Sequence, residues 1–224
     1  LVPGSGVQLR LHSWVAGTVV EERRVRALIL ESKSGRQAVL GKVFVDATGD
    51  ADVVAYSGAR FTVGRQADGA VQSMGSMFHI AGVDAERLPT GEALQAYREL
   101  AAQAVDAGEI SVYNPHWGGL LAGARGGSAQ SSGARIKRAG NYMVNATRFA
   151  GDPTNVEDLT RGELAVRHDT WRLVDFWRRN LPGMEGVYLV QTPAHIGLRE
   201  SRQMIGLDRV TGADVVQARR RDDA

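Results

Sequence analysis

The chain has 224 residues, with 27 basic and 25 acidic side chains and no cysteine. Such a length buries enough surface for one large or two small domains. The near-balance of charge, with Arg219-Arg220-Arg221 followed at once by Asp222-Asp223, reads as solvated surface rather than a nucleic-acid patch. The missing thiols exclude disulfides, thiol redox catalysis and thiolate-held zinc or iron–sulfur clusters within these residues, and they suit a cytoplasmic location. No run of about 18 apolar residues offers a membrane-spanning helix. No charged-then-apolar leader is expected, and Leu1-Val2-Pro3-Gly4-Ser5 has the character of a tag remnant or the tail of a lost segment.

Val7 to Val20 alternates imperfectly and reads as a bent strand, with Gly17 at a bulge. Glu21 to Arg24 is a polar turn, Val25 to Glu31 a second strand, Ser32 to Gly35 a turn, and Gln37 to Ala47 a third strand. Short turns between consecutive strands give an antiparallel meander. Val43-Phe44-Val45 is β-branched, aromatic and evenly apolar, so a buried strand is expected there. Ala47-Thr48-Gly49 ends it with small residues. Asp50 is then expected as the N-cap of a short helix, Ala51 to Tyr56. Strand, small-residue turn and helix start is the geometry of a ligand crevice at the carboxyl end of a sheet. It is equally that of an ordinary strand-to-helix turn.

Beyond a loop at 66–70, Val71 to Val83 reads as a strand. Gly91 to Ala107 carries Leu94, Tyr97, Leu100, Ala101, Ala104 and Val105 at helical spacing, with Thr90 and Gly108 at its ends. Asn114 to Gly140 is rich in glycine and serine and reads as a mobile flap or a poorly paired hairpin. Asn141 to Arg148 returns as a strand. Thr160-Arg161-Gly162-Glu163 fits a capping box that would start a long helix ending near Asn180. Its expected apolar stripe is Leu164, Trp171, Val174, Trp177 and Leu181. Glu163 with Arg167, Asp169 with Arg172, and Asp175 with Arg178 are spaced as helical ion pairs. Val187 to Gln191 is a strand, and Thr211 is placed to cap a last short helix through Gln217.

Several stretches resemble one family in the family's own order. They are Val45-Asp46-Ala47-Thr48-Gly49-Asp50-Ala51-Asp52, Phe61-Thr62-Val63-Gly64-Arg65, Gln72 to Phe78, Gly151-Asp152-Pro153-Thr154, Asp158-Leu159-Thr160-Arg161, Tyr188 to Thr192 and Gly197 to Arg202. Together they resemble the FAD-dependent oxidoreductases of the glutathione-reductase-like superfamily, in the branch near heterodisulfide reductase. The likeness covers most of residues 7 to 224 and departs from the family at Asp208-Arg209 and Arg221. It implies a mixed α+β and α/β architecture. Residues 7–60 would be part of a Rossmann-type FAD-binding domain with its β-meander, 61–205 a mixed α+β substrate-side domain, and 206–224 a return segment. It implies hydride or electron transfer through FAD to or from a small molecule. Ala47, Thr48 and Gly49 would lie along the FAD by backbone contact, with Asp50 fixing the turn.

Among charged residues, Arg199 and Arg202 are candidates to stabilise reduced flavin or grip a substrate carboxylate, His195 to act as an acid or base, and Gln72 and Glu200 to face the substrate. A structural salt bridge and a structural histidine are the competing readings. The other histidines show no ligand spacing, so no metal site is expected. Any iron–sulfur cluster would need cysteines outside this chain. No Gly-x-Gly-x-x-Gly turn follows a strand and opens a helix, since Gly4-Ser5-Gly6 and Gly123 to Gly127 fail on spacing or context. The chain is therefore expected to be the central part of a flavoenzyme, lacking both ends and holding FAD poorly alone. The alternatives are a non-catalytic α+β module and, more remotely, an arginine-rich nucleic-acid binder. Neither membrane nor nucleic acid is expected as a partner, and the oligomeric state is open.

Overall fold

The computed structural model describes residues 4–111 and 139–220. The glycine-rich stretch 114–140 lies outside them except for its last two residues. The chain divides into two compact units, Leu1–Gly69 with Ser201–Ala224, and Ala70–Glu200.

The first unit is built on the expected meander. Strands β1 (Ser13–Glu21), β2 (Arg24–Ser32) and β3 (Gly35–Leu40) pair antiparallel in the order β1-β2-β3. The register slips between Val15 and Gly17, so the bulge falls at Ala16, beside the expected glycine. Val7, Leu9 and Leu11, assigned to the first strand by pattern, precede it and are exposed. Helix α1 (Asp52–Tyr56) lies against β1, where the Thr18 hydroxyl donates to the Tyr56 carbonyl at 2.9 Å. Strand β4 (Phe61–Val63) pairs antiparallel with β8 (Arg202–Met204).

Two further expectations fail in this unit. The third strand stops at Leu40, and its ladder closes with Gly41 N donating to the Arg26 carbonyl at 3.4 Å. Val43 and Val45, expected to be buried, are 82% and 85% exposed. Extended backbone becomes a strand only where a neighbour accepts and donates to it. Among the described residues none pairs with 43–47. The helix start is the other correction. Its N-cap is Ala51, in a left-handed conformation, rather than Asp50.

The second unit is a three-stranded antiparallel sheet ordered β6-β5-β7 and packed against helices. Its strands are β5 (Met74–Ala81), β6 (Tyr142–Phe149) and β7 (Tyr188–Gln191), and its helices α2 (Gly91–Asp106) and α3 (Val156–Asn180). Phe78 and Ile80 from β5, Val144 from β6, Tyr97 from α2, and Leu173 and Trp177 from α3 lie in one apolar cluster. Phe78 and Trp177 rings meet with centroids 6.3 Å apart, and Tyr97 and Phe176 at 6.4 Å. Near the start of β5, Gly75 exchanges two backbone hydrogen bonds with Gly197, at 3.1 and 2.8 Å. A Cβ at Gly75 would lie 2.7 Å from the Arg148 guanidinium and 2.9 Å from the Thr147 carbonyl, so only glycine fits.

Helix α3 starts earlier than its pattern suggested. Asn155 is the N-cap, accepting from Glu157 N at 2.9 Å and Asp158 N at 3.1 Å. Thr160 is already inside the helix and donates to the Val156 carbonyl at 2.8 Å, so no capping box forms there. The buried face carries Val166, Thr170, Leu173, Val174, Phe176 and Trp177. Leu164 and Trp171, expected in the core, are 66% and 54% exposed on the other side. The two lie among Glu157, Arg161, His168, Asp175 and Arg179 on the charged side, away from the dominant apolar face. The short last helix, α4 (Gly212–Val216), has Thr211 as its cap in a reciprocal box with Asp214.

Candidate functional site

The segment between β3 and α1 is held by one carboxylate. Asp46 Oδ1 accepts from Thr48 N at 3.1 Å and from Thr48 Oγ1 at 2.7 Å, and Oδ2 accepts from Val54 N at 3.0 Å. The Thr48 hydroxyl, having donated to Asp46, accepts from Asp52 N at 3.0 Å. Two of the unsatisfied amides at the α1 start thus find acceptors upstream, Val54 N on Asp46 and Asp52 N on Thr48, which is why Asp50 is not needed as a cap. Partial burial acts to raise the Asp46 pKa, but the bonds from Thr48 and the α1 amides outweigh it and hold the carboxyl below its ordinary range.

This network leaves Ala47, Thr48 and Gly49 exposed. Gly49 takes a positive φ of 86°, and a Cβ there would meet nothing within 4 Å. The Ala47 and Gly49 amides carry no hydrogen bond among the described residues. The turn is a hydrogen-bonded strip of accessible backbone with small side chains, suited to a ligand that lies along it. Its charges are largely engaged already. Asp50 Oδ1 accepts from the buried Ser201 hydroxyl at 2.5 Å, and Asp52 pairs with Arg202 at 2.8 Å. Arg202 also donates to the Asp50 carbonyl at 3.2 Å and lies over the Phe61 ring at 5.8 Å. Arg202 therefore ties β8 to the start of α1, as the salt-bridge reading has it.

The remaining candidates lie in the second unit. Glu200 accepts from the backbone amide of Gln72 at 2.9 Å, which joins these two candidates. Arg199 is exposed. His195 is exposed too, on a loop that is firmly anchored around it. Arg167 of α3 donates to Thr192 Oγ1 at 2.5 Å, the Pro193 carbonyl at 2.9 Å and the Ala194 carbonyl at 3.3 Å. Glu163 pairs with Arg167, with one bond at 2.7 Å, and its other oxygen accepts from Ile196 N. Ile196 is 4% exposed, packed with Met74 and Val166. Asp175 and Arg178 also pair as their spacing suggested, at 3.0 Å, whereas Arg172 donates to the Gly108 carbonyl.

Asp46, Glu163 and Arg167 are the organising residues that pattern reading did not single out as site residues. Asp46 carried a usable signal. Asp-x-Thr is an Asx-type turn in which the carboxylate collects the threonine amide and hydroxyl. Asp152-Pro153-Thr154 repeats it, with Asp152 Oδ1 accepting from Thr154 N at 2.8 Å and Thr154 Oγ1 at 2.7 Å. The grip of Arg167 on a loop 25 residues downstream has no local signature.

A family model described as FAD dependent oxidoreductase matches residues 1–224. No curated protein and no solved structure matches the chain.

Proposed function

This chain belongs to the FAD-dependent oxidoreductase family, redox enzymes that use FAD, and we propose that the 46–52 turn is its contribution to holding the cofactor. The observation that carries this reading is the turn itself: exposed backbone at Ala47, Thr48 and Gly49, braced from beneath by Asp46. When bound, FAD supplies the hydride or electron transfer, to or from a small-molecule substrate. The residues fit the group in a specific way. Small side chains and unengaged amides let a flat or extended ligand lie close. Asp46, Asp50 and Asp52 disfavour a phosphate at this spot, so the polar part that suits it is a hydroxyl-bearing one such as ribose, to which a carboxylate is an acceptor. The Asp46–Thr48–Asp52 chain of hydrogen bonds is formed within the protein itself, which keeps the turn from collapsing where a ligand would lie.

The finer assignment is the glutathione-reductase-like branch near heterodisulfide reductase, with a Rossmann-type FAD domain that includes residues 7–60 and a cytoplasmic location. Within it these 224 residues are the middle of a larger flavoenzyme. Support comes from Val43 and Val45, whose 82% and 85% exposure leaves an apolar extended segment for further polypeptide to cover. The pyrophosphate would then be gripped by residues beyond this set. On the substrate side we assign His195 and Arg199, both exposed, as the groups that meet a small acidic or carbonyl-bearing molecule, with Glu200 and Gln72 beside them. Arg202 is assigned a role in supporting the turn rather than in touching substrate, because Asp52 and the Asp50 carbonyl already occupy it.

The experiment is FAD binding by the flavoprotein, read as visible flavin absorbance per chain, with Thr48→Leu and Arg199→Ala. Thr48→Leu lowers flavin occupancy, while Arg199→Ala leaves occupancy intact and lowers turnover. Full occupancy in Thr48→Leu would remove the turn from the cofactor site.

A further inference from the structure

We propose that the outward face of α3 is a self-association surface, covered in solution by α3 of a second copy laid antiparallel across it. The face is defined by exposure. Glu157, Arg161, Leu164, His168, Trp171, Asp175 and Arg179 are all exposed, although the helix is buried along its opposite side. At 3.6 residues per turn these positions fall within an arc of about 80°, so they form one straight stripe. Leu164 and Trp171 sit near its middle, 66% and 54% exposed, two large apolar side chains two helical turns apart. Aromatic side chains and arginine are the residues that anchor protein interfaces, and a central apolar patch with charges outside it is the usual interface plan.

The order of charges selects the occupant. Along the stripe the sequence is acid, base, apolar, His168, apolar, acid, base. A two-fold axis beside His168 reverses this order on the facing helix. Arg161 then meets the second copy's Asp175, Glu157 meets its Arg179, and Leu164 packs on its Trp171. Each of these contacts occurs twice, as an isologous dimer requires. A parallel pairing in register would set apolar on apolar as well, but it would place Glu157, Arg161, Asp175 and Arg179 each against its own like charge, so the charges select the antiparallel arrangement. The charged residues have partners within the chain, Arg161 on Asp158, Asp175 on Arg178 at 3.0 Å and Arg179 on Glu109 at 2.8 Å. The three stripe residues themselves are exposed, with side-chain exposures of 70% for Arg161, 58% for Asp175 and 61% for Arg179, although Asp158 is only 17% exposed, and an ion pair with an exposed partner contributes little and is readily exchanged for another. This inference is independent of the cofactor assignment.

Sedimentation velocity of the full 224-residue chain over a concentration series tests it, with circular dichroism to show that the variants fold. The wild type shows a reversible monomer–dimer equilibrium. Trp171→Ala weakens it at least about tenfold, the loss of one interface anchor. Arg161→Asp and Asp175→Arg each weaken it several-fold. The double variant Arg161→Asp with Asp175→Arg restores it to within about threefold of wild type, because the cross-copy pair is remade with reversed sign. The swap does not repair the pairs with Asp158 and Arg178 within one chain, so restoration reports contact between copies. A chain that stays monomeric at every concentration overturns the proposal, whether the face is bare, shielded by another part of the chain or kept for a different protein. Dimerisation indifferent to Trp171→Ala, or single charge variants that the double does not rescue, overturns it as well.

Discussion

Asp46 offers the sharpest perturbation of the turn, because one side chain serves both Thr48 and α1. In Asp46→Asn the amide keeps one carbonyl oxygen. Either the Thr48 pair, at 3.1 and 2.7 Å, or the Val54 amide, at 3.0 Å, then loses its acceptor. Losing a helix-cap acceptor costs about 0.5–2 kcal/mol. The lost negative charge at the helix start adds about 0.3–1 kcal/mol. The expected loss is therefore roughly 1–3 kcal/mol, or a fall of several degrees in Tm. Acid dependence gives a second handle. The folded Asp46 pKa lies below its unfolded value, so the ionised carboxylate stabilises the fold at pH values above the ordinary aspartate range. That contribution disappears as pH falls through the lowered folded value. The assay is amide hydrogen exchange at Thr48 and Val54, with unfolding midpoints measured from neutral to acidic pH. In Asp46→Asn the Val54 or Thr48 amide exchanges faster at neutral pH, and part of the acid-induced loss of stability is missing. Unchanged exchange at both amides together with the wild-type acid profile would refute the account of this turn.

Arg167→Ala removes every bond that Arg167 makes to the 192–194 backbone and side chain, leaving Glu163 with Ile196 N alone. Charge-assisted hydrogen bonds contribute about 1.5–3 kcal/mol each but are not additive within one network, so we expect a loss of roughly 2–4 kcal/mol by denaturant unfolding. Faster exchange should be confined to amides near 192–197; a variant within about 0.5 kcal/mol of wild type would show the clamp to be inert. Trp177→Ala, at a fully buried position against Phe78, should cost about 3–5 kcal/mol, whereas Trp171→Ala in the dilute monomer should cost less than about 0.5 kcal/mol. Equal costs at the two tryptophans would overturn the assignment of the buried face.

Local chemistry was legible at several places, though not at the Asp50 and Thr160 caps, where Ala51 and Asn155 start the helices instead. The Ser32–Gly35 turn, the end of α3 at Asn180, the Thr211 cap and the Glu163–Arg167 and Asp175–Arg178 pairs all depend on residues within a few positions of one another, and the short turns of the meander do too. The chain's membership in a flavin-dependent family also lay in its short motifs, read in order. Three things were left to tertiary structure. Val43-Phe44-Val45 has the composition of a buried strand, but a strand needs a neighbour to bond with, and burial needs something to cover it. Residue type alone marks Leu164 and Trp171 of α3 as core, but they lie among charged residues on the exposed side, opposite the covered Val166 and Leu173. Arg202 looks the same in sequence whether it meets a ligand or Asp52. The 2.8 Å ion pair spanning residues 52 to 202 is a property of the folded chain, because only folding brings those two residues within reach.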